Sequence, residues 1–170
     1  MSRRQGIRGG AVHWGAIGTA ALAAAMVATV GGLMTDLGPW YQTLRKPAWQ
    51  PPDWAFGPAW TVIFALAALS GYEAWRVGPP LSRWARIVAL FAVNGLLNIG
   101  WSACFFLLHR PDWALAEVVA LWLSILALIV VLLPQSRPAG WLLAPYLLWV
   151  SFAAALNYAV VRLNYPFGEP

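Results

Sequence analysis

Asn94 and Asn98 stand four residues apart in an otherwise apolar run, and Trp101, Ser102 and Phe105 continue roughly the same helical face. A second run carries Tyr146, Trp149, Ala153, Leu156 and Asn157 at helical spacing, and a third places Phe56, Trp60 and Phe64 every fourth residue. Amide side chains in such surroundings need hydrogen-bond partners, drawn from a neighbouring helix or from a ligand. Three helices that each offer aromatic rings beside small or amide residues would line a mostly apolar pocket with a few polar anchors. That is the chemistry of holding an apolar molecule. The same residue types also glue and anchor helix bundles, and the pattern alone leaves both readings open. The sequence offers no Ser-His-Asp set, metal cluster or buried carboxylate pair for conventional hydrolysis. Its single cysteine, Cys104, excludes an internal disulfide and a Cys-based zinc site, and His13 and His109 are too few for a His-rich cage. No metal is expected.

The elements that must position these residues are membrane spans. Of 170 residues, 61% are hydrophobic and only 10% charged, against about 25% charged in a soluble domain. The fold class read from this is an all-α integral membrane protein, a single bundle of five transmembrane helices over 14–162. The spans are expected at about 14–34, 56–75, 87–108, 113–133 and 139–161, each long enough for a hydrocarbon core of about 30 Å. A basic tail (1–13) precedes them and a short tail (163–170) follows. A signal peptide competes for the first span, whose apolar run is too long for one. Within that span Ala16, Ala20, Ala24, Ala28 and Gly32 recur every fourth residue, a stripe that lets helix backbones approach closely. Glu117 falls in the first turns of the fourth span, where a carboxylate is favoured by the helix N-terminus and within reach of headgroups.

Between the first two spans, 35–55 and the start of the next helix hold Trp40, Trp49, Trp54 and Trp60 with Pro39, Pro47, Pro51, Pro52 and Pro58. Proline fixes φ and restricts the residue before it, while indoles suit the boundary of hydrocarbon and water. This reads as an ordered loop that closes one end of the bundle and caps a pocket. The basic residues are scattered at span ends, so the net charge of +5 points to lipid headgroups and not to nucleic acid. Arg3, Arg4, Arg8, Arg76, Arg83, Arg86 and Arg137 fall on one side of the membrane, and Arg45, Lys46, Arg110 and Arg162 on the other. The positive-inside rule then puts the N-terminus inside and the capping loop outside.

These residues also carry a resemblance. Trp40-Tyr41-x-x-Leu44-x-Lys46-Pro47-x-Trp49-x-Pro51-Pro52-x-Trp54-x-Phe56-Gly57-Pro58-x-Trp60 resembles the signature of the TspO/MBR family of tryptophan-rich sensory and translocator proteins, which includes the peripheral-type benzodiazepine receptor. Leu97-Asn98-x-x-Trp101-Ser102 with Phe105-Phe106, Pro145-Tyr146-x-x-Trp149-x-x-Phe152-Ala153 and Leu156-Asn157-Tyr158 follow in the family's order. The resemblance implies a five-helix bundle, usually a homodimer, that binds porphyrins and sterols and, in many members, isoquinoline carboxamide drugs. It makes Trp60 and Trp149 the pocket tryptophans linked to light-dependent protoporphyrin breakdown. Tyr41, Pro51 and Asn98 match further pocket positions, Ala153 a site where a bulkier side chain alters ligand handling, and Phe56, Gly57, Trp113 and Ala116 drug-contacting positions. The short tail and the lack of a long basic C-terminal extension resemble bacterial members.

Leu156, Tyr158 and Arg162 also satisfy the L/V-x-Y-x-K/R pattern proposed for cholesterol, which equally describes a helix end anchored at the interface. The reading taken forward is a tetrapyrrole-binding sensor that needs no cofactor, with protoporphyrin IX or a haem-like tetrapyrrole as ligand, and its carboxylates meeting Arg45 or Lys46. Two alternatives stay open: a light-dependent porphyrin-degrading enzyme using Trp60 and Trp149 as redox partners, and a transporter of porphyrin or lipid. The absence of internal repeats argues against active transport.

Overall fold

A computed structural model describes residues 13–167. Residues 1–12 of the basic tail read from 1–13, and the last three residues, lie outside the described residues. Among the described residues five helical segments are long and apolar enough to cross a membrane, and there is no strand. The chain is a multi-pass membrane protein.

Helix α1 (Trp14–Met34) is followed by the capping loop, which contains a short helix α2 (Pro39–Thr43) and one 3₁₀ turn (Asp53–Ala55). Helix α3 (Phe56–Arg76) ends at Gly78, whose φ of +68° is open to glycine at little cost and whose N–H bonds back to the Trp75 carbonyl. Helix α4 (Leu81–Ser102) runs on into one π turn (Ala103–Leu107). Helix α5 (Pro111–Leu132) and the short α6 (Arg137–Trp141) lead to α7 (Ala144–Asn164). Pro starts α2, α5 and α7 within their first two positions, where its missing N–H costs nothing.

Two boundaries differ from the sequence expectation, each for a physical reason. The third spanning helix begins at Leu81 and not at 87, because Pro80 presets its entry while Arg83 and Arg86 are compatible with helix outside the hydrocarbon. The last expected span is two helices. Pro145 cannot accommodate the carbonyl four residues back, at Trp141, so α6 stops there and the chain restarts at Ala144.

The bundle is a ring. α1 packs on α3 and α4, α4 on α5, and α5 on α7, while α3 closes the circle through α6 and a lighter contact with α7. α5 carries the core, burying Val118, Leu121, Ile125, Leu128 and Leu132 against Ile87, Tyr146 and Val150. From α1 only Gly31 is buried. α5 is therefore the most enclosed of the spanning helices and α1 the least.

Polar side chains join neighbouring helices where lipid supplies no hydrophobic drive. Ser70 Oγ donates to the Ala139 carbonyl at 2.7 Å, Asn94 Nδ2 to Ser124 Oγ at 2.8 Å, and Trp122 Nε1 to Ser151 Oγ at 2.9 Å. Each such bond contributes roughly 0.6 kcal/mol on average. Close packing adds the rest. A Cβ on Gly140 of α6 would fall 2.6 Å from Leu133 Cγ and 3.1 Å from its Cα. Because backbone must then move, Gly140→Ala is expected to destabilise the protein by about 1–3 kcal/mol. A lowered midpoint of thermal unfolding in detergent is the readout; an unchanged one would mean that α6 shifts freely.

Candidate functional site

The loop is held as a lid by its own polar cluster and by three external ties. Tyr41, buried, donates its phenol O–H to Asp53 Oδ1 at 2.9 Å, and Gln50 Nε2 donates to both the Tyr41 hydroxyl (3.1 Å) and Asp53 Oδ1 (3.2 Å). Lys46 Nζ lies 3.7 Å from the Tyr41 ring centroid and 3.9 Å from Asp53 Oδ2. Burial, then the hydrogen bond and charge of Asp53, push the Tyr41 phenol up to about 12 from its ordinary 10. Its folded value being raised, this contribution is complete below pH 10 and is lost as pH rises through about 12.

The first external tie is to α7. Asn164 Nδ2 donates to the Arg45 carbonyl and the Arg45 N–H donates to Asn164 Oδ1, both at 2.8 Å. The second is to the π turn after α4 and the residues just beyond it, where Tyr41 packs on Phe106 at 5.8 Å and Trp40 stacks on His109 with ring centroids 4.1 Å apart. His109 has φ +54°, an unusual left-handed backbone for a non-glycine residue. The third is Trp49 edge-on to Phe152 at 5.8 Å.

Beneath the lid is a cavity of about 710 Å³. α3 and α7 supply its aromatic wall: Trp60 and Trp149 meet at 6.3 Å, Phe56 touches Trp149 at 5.8 Å, and Trp60 stacks on Phe64 at 5.4 Å. α4 supplies Asn98, Trp101 and Ser102, and Phe105 and Phe106 follow in the π turn. Asn98 Nδ2 donates to the Tyr146 hydroxyl at 3.2 Å, fixing the amide at the base of that wall. The indole N–H of Trp149 is enclosed and has no partner among the described residues.

Of the residues proposed from sequence, Tyr41, Phe56, Gly57, Trp60, Asn98, Trp101, Phe105, Trp149, Ala153 and Leu156 all line this one cavity. Pro51, Trp113 and Ala116 do not. Pro51 shapes the lid, and Trp113 is exposed beneath the Arg110 guanidinium, 4.3 Å from its ring centroid. Ala116 is exposed on α5. The L-x-Y-x-R residues do not form one surface: Leu156 faces the cavity, whereas Tyr158 is exposed and its hydroxyl accepts from Arg162 Nη1 at 3.1 Å. Neither Arg45 nor Lys46 reaches the cavity wall.

Sequence reasoning missed two parts of the wall. The stripe on α1 was read as a contact between helices, yet Ala24, Ala28 and Gly32 line the cavity together with Ala21 and Ala25. The close approach of α1 to α4 is at Gly95, where a Cβ would fall 2.9 Å from Val27 Cγ2. Asp53 and Gln50 were also overlooked; a lone carboxylate between Pro52 and Trp54 was the available signal. Glu117, expected near headgroups, has both carboxylate oxygens enclosed beside Gly100 with no partner among the described residues. Among the described residues no group of three or more His, Cys, Asp or Glu is gathered to hold a metal ion.

A family model described as the TspO/MBR family matches residues 19–163. The chain is 41% identical over 125 residues to the "Tryptophan-rich protein TspO" of Chlorobaculum tepidum, covering 74% of this chain and 79% of that one. It is 35% identical over 154 residues to the "Tryptophan-rich sensory protein" of Cereibacter sphaeroides, covering 91% and 94%. With the "Translocator protein" of Homo sapiens it shares 32% identity over 127 residues, 74% of this chain and 75% of that protein.

Proposed function

The chain belongs to the TspO/MBR family, and on that premise we propose that it is a membrane-embedded tetrapyrrole-binding sensor whose lid closes over the bound macrocycle. The observation that carries this reading is the cavity itself. Its volume of about 710 Å³ lies within the range of about 300–1,000 Å³ for small-molecule sites. Its walls are aromatic on α3, α4 and α7 and small on α1, which suits a broad flat ligand held between them. Sterol-like lipids and isoquinoline carboxamides would compete for the same space. The charge bias of the helix ends supports a lid on the outer side of the membrane.

A second reading, turnover of the bound pigment in light, is favoured by one contact. Trp60 and Trp149 stand 6.3 Å apart on the cavity wall. An excited porphyrin there would take one electron from an indole, giving an indole radical cation and a porphyrin radical anion. Dioxygen adding to that anion, with the electron then returned to the indole, would leave an oxygenated macrocycle (pigment plus one O2) and restore the tryptophan. Titration of protoporphyrin IX by tryptophan quenching, in darkness and then in light, separates the two. Saturable dark binding is expected. Trp60→Phe combined with Trp149→Phe should leave dark affinity within a few-fold and abolish any light-dependent decay. The absence of saturable dark binding would overturn the sensor reading, and decay that persists in the double variant would remove these indoles from the chemistry.

A further inference from the structure

We propose that Asp53 makes the cavity a charge filter, admitting ligands whose lid-facing end is neutral or cationic and disfavouring those that carry a carboxylate there. Among the described residues Asp53 is the one formally charged side chain on the cavity wall. The cation that offsets it stands behind the wall: Lys46 Nζ is 3.9 Å from Asp53 Oδ2 and capped by the Tyr41 ring. Arg45 is exposed, and its backbone is tied to Asn164. The Tyr41 and Gln50 donors at this end are already directed at Asp53.

An anionic group entering beside Asp53 would therefore lose its hydration and meet an acceptor whose neighbouring donors, Tyr41 and Gln50, are already engaged. An ammonium or a neutral donor would instead gain a charge-assisted hydrogen bond to the carboxylate. For a tetrapyrrole, the ligand class on which this inference partly rests, the consequence is orientation and selection: the apolar edge faces the lid, and esterified or otherwise uncharged macrocycles bind better than free diacids.

A matched pyrene series with butyl amine, butyl alcohol and butanoic acid tails probes the filter without assuming a tetrapyrrole. Each is titrated by tryptophan quenching into purified protein in a neutral detergent, with micelle partition measured separately. Amine and alcohol are expected to bind about tenfold tighter than acid. Asp53→Asn keeps an oxygen to accept from Tyr41, so the lid stays in place, and it should erase that ranking. A merely loosened lid would weaken all three alike and leave the ranking intact. Protoporphyrin IX and its dimethyl ester are then compared. An ester preference in the wild type that vanishes in Asp53→Asn supports the filter. Acids binding as tightly as amines, or a ranking unchanged by the substitution, would overturn it. Should the pyrenes rank as expected while neither porphyrin binds, the filter stands and the tetrapyrrole reading falls.

Discussion

Ala153→Phe is expected to weaken binding in the cavity by about a hundredfold, close to 2.7 kcal/mol. Ala153 sits on α7 one turn beyond Trp149, half-buried, with its methyl on the cavity wall. A benzyl group there projects into the space beside the Trp149 indole, because Ala153 lies on the cavity-lining face of α7 together with Trp149, Leu156 and Asn157. The added ring occupies volume that the ligand needs and makes new aromatic contacts in its place. The thermal midpoint of the ligand-free protein should therefore be maintained or raised, while ligand-induced stabilisation disappears. Both are read in one differential scanning experiment with and without protoporphyrin IX. Undiminished affinity would place the ligand elsewhere in the bundle.

Asn157→Leu should cost stability where Ala153→Phe does not. Asn157 is 1% exposed. In the amide orientation that satisfies both atoms, its Nδ2 donates to the Pro111 carbonyl and its Oδ1 accepts from the Leu115 N–H, each at 3.0 Å. The side chain thus bolts the middle of α7 to the first turn of α5, the helix that carries the core. Leucine matches its size and leaves a carbonyl and an amide without those partners in a dry interior. Unsatisfied buried groups cost about 1–3 kcal/mol each, so a loss of roughly 2–4 kcal/mol is expected. Unfolding in mixed micelles, followed by circular dichroism, measures it. A wild-type midpoint would mean that the Pro111 carbonyl and Leu115 N–H close on each other.

Much of this was legible in the sequence because the membrane simplifies the code. Five charge-poor runs set five spans, and the Trp/Pro stretch marks the lid. The helical spacing of Phe56, Trp60 and Phe64, and of Tyr146, Trp149 and Ala153, was enough to put them on shared faces. Other features were hidden for identifiable reasons. Hydropathy reports the thickness of hydrocarbon and not the length of a helix, so the start of α4 at Leu81 was invisible. The break between Trp141 and Ala144 was encoded in Pro145 but masked by the unbroken apolar run around it. The alanines of α1 carry no direction: small side chains make room for a helix or for a ligand, and only the packing decides. Glu117 looked peripheral because its distance from the helix end says nothing about which neighbours enclose it.

The bond pair between Arg45 and Asn164 joins residues 119 positions apart. Chains are threaded into a bilayer in order, so α1, the loop and α3 are in place long before the last turn of α7 exists. Until that turn arrives, the loop lacks its tie to α7, and the walls that α7 provides are missing as well. Lid and container are completed by the same late event. Until then the loop has only its internal cluster and its contacts with His109 and Phe106, over a cavity that still lacks one wall.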